Sequence, residues 1–179
     1  MKKVLMTLAV AFVAVAANAQ VYVGGNVGIA SSKIGNGDNV TTYKVLPEVG
    51  YNINKDWAVG TTLGWGKGTP VNIEGESRNY FTVQPYARYT FVHSKYVNVF
   101  VDGGLGYKHT YDAGNDNDLW TVGVRPGVSV NLTKKLSFVS HVGFLGWSQS
   151  KDNNSNSKTS RYGLDLDGND ITFSLYYNF

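Results

Sequence analysis

Apolar and polar side chains alternate along most of this chain, and that pattern constrains it to extended strands. The clearest case is the C-terminal segment, where Ile171, Phe173, Leu175, Tyr177 and Phe179 occupy every second position. A period of two places such side chains on one face of a β-strand. The same period predicts strands at about 20–31, 42–52, 57–67, 78–91, 97–109, 119–131 and 136–149, followed by an eighth ending at Phe179. We therefore expect an all-β chain.

Some positions interrupt the alternation. The seventh segment changes phase between Phe144 and Leu145, and a second change separates Leu166 from Ile171. A β-bulge shifts the phase by one residue, and 167–169 is a suitable place for one. A tight turn there, giving a ninth strand, is the alternative. Proline removes a ladder hydrogen bond, so we also expect bulges at the strand prolines, which are Pro47, Pro85 and Pro126.

The connections between the predicted strands alternate in length. Short ones fall near 53–56, 92–95 and 132–135, and longer polar ones at 32–41, 67–77, 109–118 and 150–160. A Leu-Gly-aromatic triplet beginning at Leu63 recurs at Leu105 and Leu145, a spacing close to one strand–loop–strand–turn unit. Repeated hairpins of this kind predict an antiparallel up-and-down barrel.

The first nineteen residues have the layout of a secretory signal peptide. Lys2 and Lys3 precede an apolar stretch over 4–17, and Ala17-Asn18-Ala19 is a cleavage site of the A-x-A type. The stretch is shorter than the ~20 apolar residues that a spanning helix needs. We expect a leader at 1–19, a mature barrel domain at 20–179 beginning at Gln20, and export across the inner membrane.

Composition excludes several classes of protein. The net charge of +3 falls to +1 when Lys2 and Lys3 are removed, which is too balanced for a nucleic-acid-binding surface. The absence of cysteine excludes disulfides and thiolate metal sites. Beyond the leader, no segment is long and apolar enough for a transmembrane helix. A membrane protein without such helices must be a closed barrel, since only that shape satisfies every backbone group in lipid.

The placement of aromatic residues favours a membrane barrel over a soluble one such as a lipocalin-like binder. Aromatic side chains concentrate near both ends of the predicted strands, whereas Val and Leu fill the centres. Rings of this kind collect at membrane interfaces. The loop-side row is Tyr43, Trp65, Phe81, Tyr107, Trp120 and Trp147, and the turn-side row is Tyr51, Trp57, Tyr89, Phe91, Tyr177 and Phe179.

The mature chain resembles the outer-membrane protein β-barrel domain (porin-like) family. The resemblance rests on the cleavage site, on hairpins such as 49–57 and on the terminal Tyr176-Tyr177-Asn178-Phe179. Its size is that of the OmpA transmembrane domain and OmpX. The resemblance implies an eight-stranded barrel in the bacterial outer membrane, in contact with its lipid and lipopolysaccharide. It further implies that periplasmic chaperones and the barrel-assembly machinery act during biogenesis. The assembly signal would be Phe173, Leu175, Tyr177 and Phe179. We expect a monomer that binds no nucleic acid.

Charged residues on the polar strand faces predict a plugged interior. Eight strands leave a lumen just wide enough for side chains to fill. Glu48, Arg88, Asp102 and Arg125 lie at similar heights above the short turns, and buried charges need partners. We expect an ion-pair cluster of these four, with Lys44 beside it, and inward glycines that make room for the long charged side chains. A structural plug is favoured over an ion gate.

No catalytic residue or metal ligand is assigned. His109 beside Asp112, or His141 beside Ser140, would suit a lipid A-modifying enzyme, but neither spacing is diagnostic. The loop aspartates, Asp112, Asp116, Asp118, Asp165, Asp167 and Asp170, do not follow the EF-hand order and are ordinary turn residues. We expect a non-enzymatic protein without a cofactor, with a structural or surface-interaction role for its external loops. A narrow diffusion channel is the alternative.

Overall fold

The computed structural model describes residues 20–33, 39–68, 78–111, 116–153, 155–165 and 171–179. Within these ranges no helix is long and apolar enough to cross a membrane. The predicted cleavage site at Ala17 and Ala19 lies outside the described residues. The strands are β1 Val21–Lys33, β2 Asn39–Asn52, β3 Trp57–Lys67, β4 Asn79–His93, β5 Val97–Tyr111, β6 Asn117–Asn131, β7 Leu136–His141, β8 Phe144–Asp152, β9 Lys158–Asp165 and β10 Thr172–Asn178.

These segments form a closed barrel of eight antiparallel strands. β1 to β6 pair in sequence order, and β10 closes the ring between β1 and β7, which in turn pairs with β6. β7 and β8 are two parts of the seventh barrel strand, because both pair antiparallel with β6. β9 pairs with β8 and β10 with β7, so they run in the same direction as parts of the eighth. The predicted architecture is confirmed, and the bulge expected at 167–169 lies outside the described residues.

The phase change in the seventh strand has a clear structural cause. Between the pairs Gly127–His141 and Val124–Leu145, two residues of β6 face three residues, 142–144. This one-residue excess is a β-bulge, and it reverses which side chains point inward. Gly143 has φ of 68°, a left-handed conformation that glycine adopts without steric cost.

The strand prolines behave differently from the prediction. The bulge lies opposite Pro126, whose carbonyl accepts the Val142 N–H at 3.0 Å. At Pro47 and Pro85 the expected bulges are wrong. The β2–β3 ladder skips Pro47 and the β4–β5 ladder skips Pro85, yet each resumes in the same register. A missing N–H removes one bond without inserting a residue, so neighbouring pairs keep the strands aligned.

The outer and inner faces of the wall differ in chemistry as the alternation predicts. On β6, Val122, Val124, Val128 and Val130 are exposed, whereas the intervening Gly127 and Ser129 are buried. Polar groups therefore line the lumen, and the apolar side chains form an outer belt. An apolar belt around a closed barrel is the arrangement that hydrocarbon can solvate.

Candidate functional site

The centre of the lumen holds a buried ion pair between neighbouring strands. Arg88 on β4 and Asp102 on β5 are register partners, and each is 8% exposed. The arginine Nε donates to one carboxylate oxygen of Asp102 at 2.7 Å, and a terminal nitrogen donates to the other at 2.8 Å. This two-point geometry compensates the buried charges more effectively than a single contact.

Glu48 is the second carboxylate of this centre and is satisfied mainly by tyrosines. Tyr176 donates to its Oε1 at 2.5 Å, and Tyr86 donates to the same oxygen. The Tyr22 and Tyr86 hydroxyls are 2.6 Å apart, which extends the network to β1. Arg88 lies 3.9 Å from Glu48, so one guanidinium serves both carboxylates. Four parts of the wall are therefore tied together across the lumen.

Aromatic rings complete the blockage around the guanidinium. The Arg88 Cζ lies 3.9 Å from the Phe100 ring centroid and 5.3 to 5.7 Å from those of Tyr86, Tyr176 and Tyr22. Rings within about 6 Å attract a cation through their negative faces. We call these residues the plug: Tyr22, Glu48, Tyr86, Arg88, Phe100, Asp102 and Tyr176.

The inward glycines make room for these rings as well as for charged side chains. A Cβ atom at Gly50 would lie 2.1 Å from Cζ of Tyr22, and one at Gly127 would lie 2.4 Å from Cζ of Phe100. Both distances are far below van der Waals contact. The sequence-based explanation, which considered long charged side chains alone, was therefore incomplete.

Two charged residues predicted for the cluster lie apart from it. Arg125 faces Asp102 in the β5–β6 register, but its side chain donates to Gln84 Oε1 at 3.2 Å and lies over the Phe144 ring. His141 occupies the position beside Asp102 that was expected for Arg125, with its Nε2 2.8 Å from Asp102 Oδ2. The reason is that Arg88 and His141 already occupy the Asp102 oxygens.

Lys44 also lies apart from the plug. It shares the inward side of β2 with Glu48 but lies four residues closer to the loops. At ~3.3 Å per residue this is a separation of roughly 13 Å, too far for an ion pair.

The plug separates two cavities of the lumen. The loop-side cavity has a volume of about 270 Å³ and is lined by polar groups that include Asn26, Gln84 and Arg125. The turn-side cavity has a volume of about 470 Å³ and reaches from Arg88 and Phe100 to the short turns. A solute crossing the barrel would have to displace the buried network between them.

A second polar cluster lies at the loop-side end of the barrel, beyond Trp120. Asp118 accepts hydrogen bonds from Tyr107 Oη at 2.8 Å, His109 Nδ1 at 2.7 Å and Asn153 Nδ2 at 2.8 Å. These bonds, that from His109 first, lower the pKa of Asp118 to about 2. The cluster therefore ties β5 and β6 to the β8–β9 turn.

The predicted aromatic rows lie on the outer surface of the barrel. In the turn-side row, Trp57 packs on Tyr89 with ring centroids 4.9 Å apart, and in the loop-side row Tyr107 packs on Trp120 at 4.7 Å. Trp65 and Phe81 are register partners. Exposed side chains in the two rows are Tyr43, Trp65, Phe81, Trp120, Tyr51, Trp57, Tyr89, Phe91, Tyr177 and Phe179, and Trp147 is half-buried.

The predicted assembly-signal strand is β10. Phe173, Leu175, Tyr177 and Phe179 all face outward. The Phe179 N–H donates to the Val21 carbonyl at 3.1 Å, so the end of the chain contacts the first strand. Gln20, the predicted mature N-terminus, accepts from Asn52 at the same end.

Each of the three histidines has a polar partner among the described residues. His109 contacts Asp118, and Asp112 lies outside the described residues. Ser140 and His141 are consecutive on β7, so their side chains point to opposite faces. Among the described residues, no three His, Cys, Asp or Glu side chains come together as a metal centre.

An antiparallel barrel with an apolar outer belt and a charged, plugged lumen defines the class of integral outer-membrane β-barrels. The sequence matches the outer membrane protein beta-barrel domain family over residues 4–179, and the chain belongs to that family. A solved structure of Neisserial surface protein A matches with a TM-score of 0.53 at 18% identity, covering 89% of this chain and 97% of that one. At that identity the likeness concerns the fold. No curated protein sequence matches.

Proposed function

We propose that this protein is a non-enzymatic outer-membrane barrel that acts through its external surface and does not conduct solutes. The plug is the observation that carries the proposal. It joins β1, β2, β4, β5 and β10 through buried hydrogen bonds and closes the lumen between two cavities. An uncompensated buried charge is strongly unfavourable, by about 3–5 kcal/mol when one partner of a pair is removed, so the plug favours a closed lumen.

The external side of the barrel supports a role in surface contact. Residues 158–161 of β9 pair with β8 beyond Trp147 of the loop-side aromatic row, and all four are exposed. The β8–β9 hairpin is held to the neighbouring wall by Asn153 and Asp118. A held hairpin with exposed side chains suits binding at the cell surface, because little further ordering is needed on contact.

Planar-bilayer recording tests the exclusion of a channel. We expect no discrete, reproducible conductance steps from the wild-type barrel, and measurable steps from Arg88→Ala/Phe100→Ala, which removes the guanidinium and its closest ring. Heat-modifiable gel migration must first show that this double variant is folded. Discrete wild-type steps would support the diffusion channel and contradict the proposal.

Mass spectrometry of lipid A tests the exclusion of an enzyme. Lipid A from cells with and without the protein should be identical in acylation and headgroup. A modification that disappears on deletion, and returns with the wild-type protein, would instead assign an enzymatic role.

A further inference from the structure

The three short turns share a construction that places a lysine at the same position of each. The side-chain oxygen of Asn54, Ser94 or Thr133 accepts the backbone N–H two residues further on, at 2.8, 3.4 and 3.1 Å respectively. Such a bond fixes a turn locally. The residue between acceptor and donor is Lys55, Lys95 or Lys134.

These lysines line the turn-side cavity of about 470 Å³. We call it the basic mouth, lined by Lys55, Lys95, Lys134 and His93, with Arg88 of the plug at its inner end. Among its described lining residues there is no Asp or Glu. Arg88 is already compensated by its carboxylates, so the mouth's uncompensated charge comes from the turns.

Acidic groups near the basic mouth do not neutralise it. The three turns contain four lysines, the three above and Lys135, but one acidic residue, Asp56. Asp56 lies 3.4 Å from His93 Nε2. A concave site lined by charges of one sign focuses the electrostatic field and concentrates counter-ions.

The polar groups between the lysines indicate which anion fits. Four asparagine side chains line the mouth: Asn52, Asn98, Asn131 and Asn178. Asn131 is engaged through both its oxygen and its nitrogen. Asn98 uses its Oδ1 and Asn178 its Nδ2, which leaves the Asn98 donor and the Asn178 acceptor for a ligand. A carboxamide both donates and accepts hydrogen bonds, which matches a peptide backbone, whereas a phosphate offers acceptors alone. Short turns of outer-membrane barrels face the periplasm, so the ligand would approach from that side.

We propose that the basic mouth binds an acidic peptide segment from the periplasmic side. Its carboxylates pair with Lys55, Lys95 and Lys134, and its backbone amides bond to the Asn98 donor and the Asn178 acceptor. This site lies at the opposite end of the barrel from the external surface, so its test is independent of the test of the proposed function.

The test uses the folded full-length barrel in non-ionic detergent and fluorescently labelled hexaglutamate as the probe. We expect saturable binding by anisotropy, weakened roughly tenfold in Lys55→Gln/Lys95→Gln/Lys134→Gln, since three exposed pairs each contribute a few-fold. The matched control is Lys33→Gln/Lys67→Gln/Lys158→Gln, which removes the same number of charges from the loop side. It should bind hexaglutamate as the wild type does. Raising ionic strength from about 0.1 to 1 M should weaken wild-type binding.

A measurement on the wild type avoids dependence on the folding of a variant. Lysine acetylation read by mass spectrometry should show hexaglutamate protecting Lys55, Lys95 and Lys134 but not Lys33 or Lys158. The proposal is overturned if hexaglutamate does not bind, if both triple variants lose equal affinity, or if protection is uniform. Tighter binding of tripolyphosphate than of hexaglutamate would also overturn the peptide assignment.

Discussion

Arg88 and Asp102 face each other on adjacent strands and are joined by two hydrogen bonds of 2.7 and 2.8 Å inside the barrel. Their pairing organises the plug, because Glu48, His141 and four aromatic rings contact one or the other. The barrel interior is therefore a polar core, whereas a soluble domain would place its apolar side chains there.

Arg88→Leu should destabilise the barrel severely. It leaves Asp102 and Glu48 buried without their cation, and stranding a buried charge costs about 3–5 kcal/mol. Urea unfolding in lipid vesicles, followed by tryptophan fluorescence, measures the change. Arg125→Leu is the matched comparison and should cost less, since Arg125 bonds to the neutral Gln84. Equal losses would show that the plug is not centred on Arg88.

Gly50→Ala should destabilise the barrel by about 1–3 kcal/mol, the usual range for overpacking a core. The added Cβ would meet the Tyr22 ring and displace the hydroxyl that reaches Tyr86. Gly163→Ala is the control, because nothing lies within 4 Å of its Cβ position. Unfolding midpoints that shift equally in both variants would contradict the assigned packing of Tyr22.

The Asp118 cluster should lose its contribution to stability in acid. The pKa of Asp118 is about 2 in the folded protein and roughly 3.9 in the unfolded chain. Its contribution to the free energy of unfolding is therefore complete above the unfolded pKa and is lost as the pH falls through the folded pKa. The Asp118 side chain is 21% exposed, so solvent screening keeps the effect modest.

Comparing the wild type with Asp118→Asn isolates this effect from that of other carboxylates. The difference in their free energies of unfolding should be constant near neutral pH and shrink toward zero between about pH 4 and pH 2. A difference that stays constant to pH 2 would mean that Asp118 has no depressed pKa.

Val124→Arg tests the assignment of the outer belt to lipid. Val124 faces outward in the middle of β6, and an arginine at the bilayer midplane costs about 2–4 kcal/mol in such barrels. Leu132→Arg, in a short turn at the membrane edge, should cost about 0–1 kcal/mol. Unfolding in vesicles gives both values, and similar costs at the two positions would contradict the predicted depth of Val124.

Much of the fold follows from the alternation of residue types. The bounds of β3 agree with the sequence prediction. The change in the alternation of apolar residues along the seventh strand corresponds to the bulge at 142–144. The prediction of bulges at Pro47 and Pro85 was wrong. Each proline lacks an N–H and so removes one hydrogen bond, but the pairs on either side keep the register.

The candidate site was predictable in part. Inward parity, similar heights above the turns and the cost of a lone buried charge predicted a cluster that includes Glu48, Arg88 and Asp102, and the structure places these three in one network. Tyr22, Tyr86, Tyr176 and Phe100 were missed, although their inward parity was a usable signal, because rings on a polar face give no indication of which charge they surround.

The sequence by itself determined the strands, the inward and outward faces and the presence of charges that must find partners, because those depend on period and burial along each strand. The tertiary structure decided which partners they found. Shear between strands and the bulge bring His141 to Asp102 and leave Arg125 on Gln84. Which of several groups at similar heights come into contact depends on the packing across the closed barrel, and no local pattern in the chain encodes that.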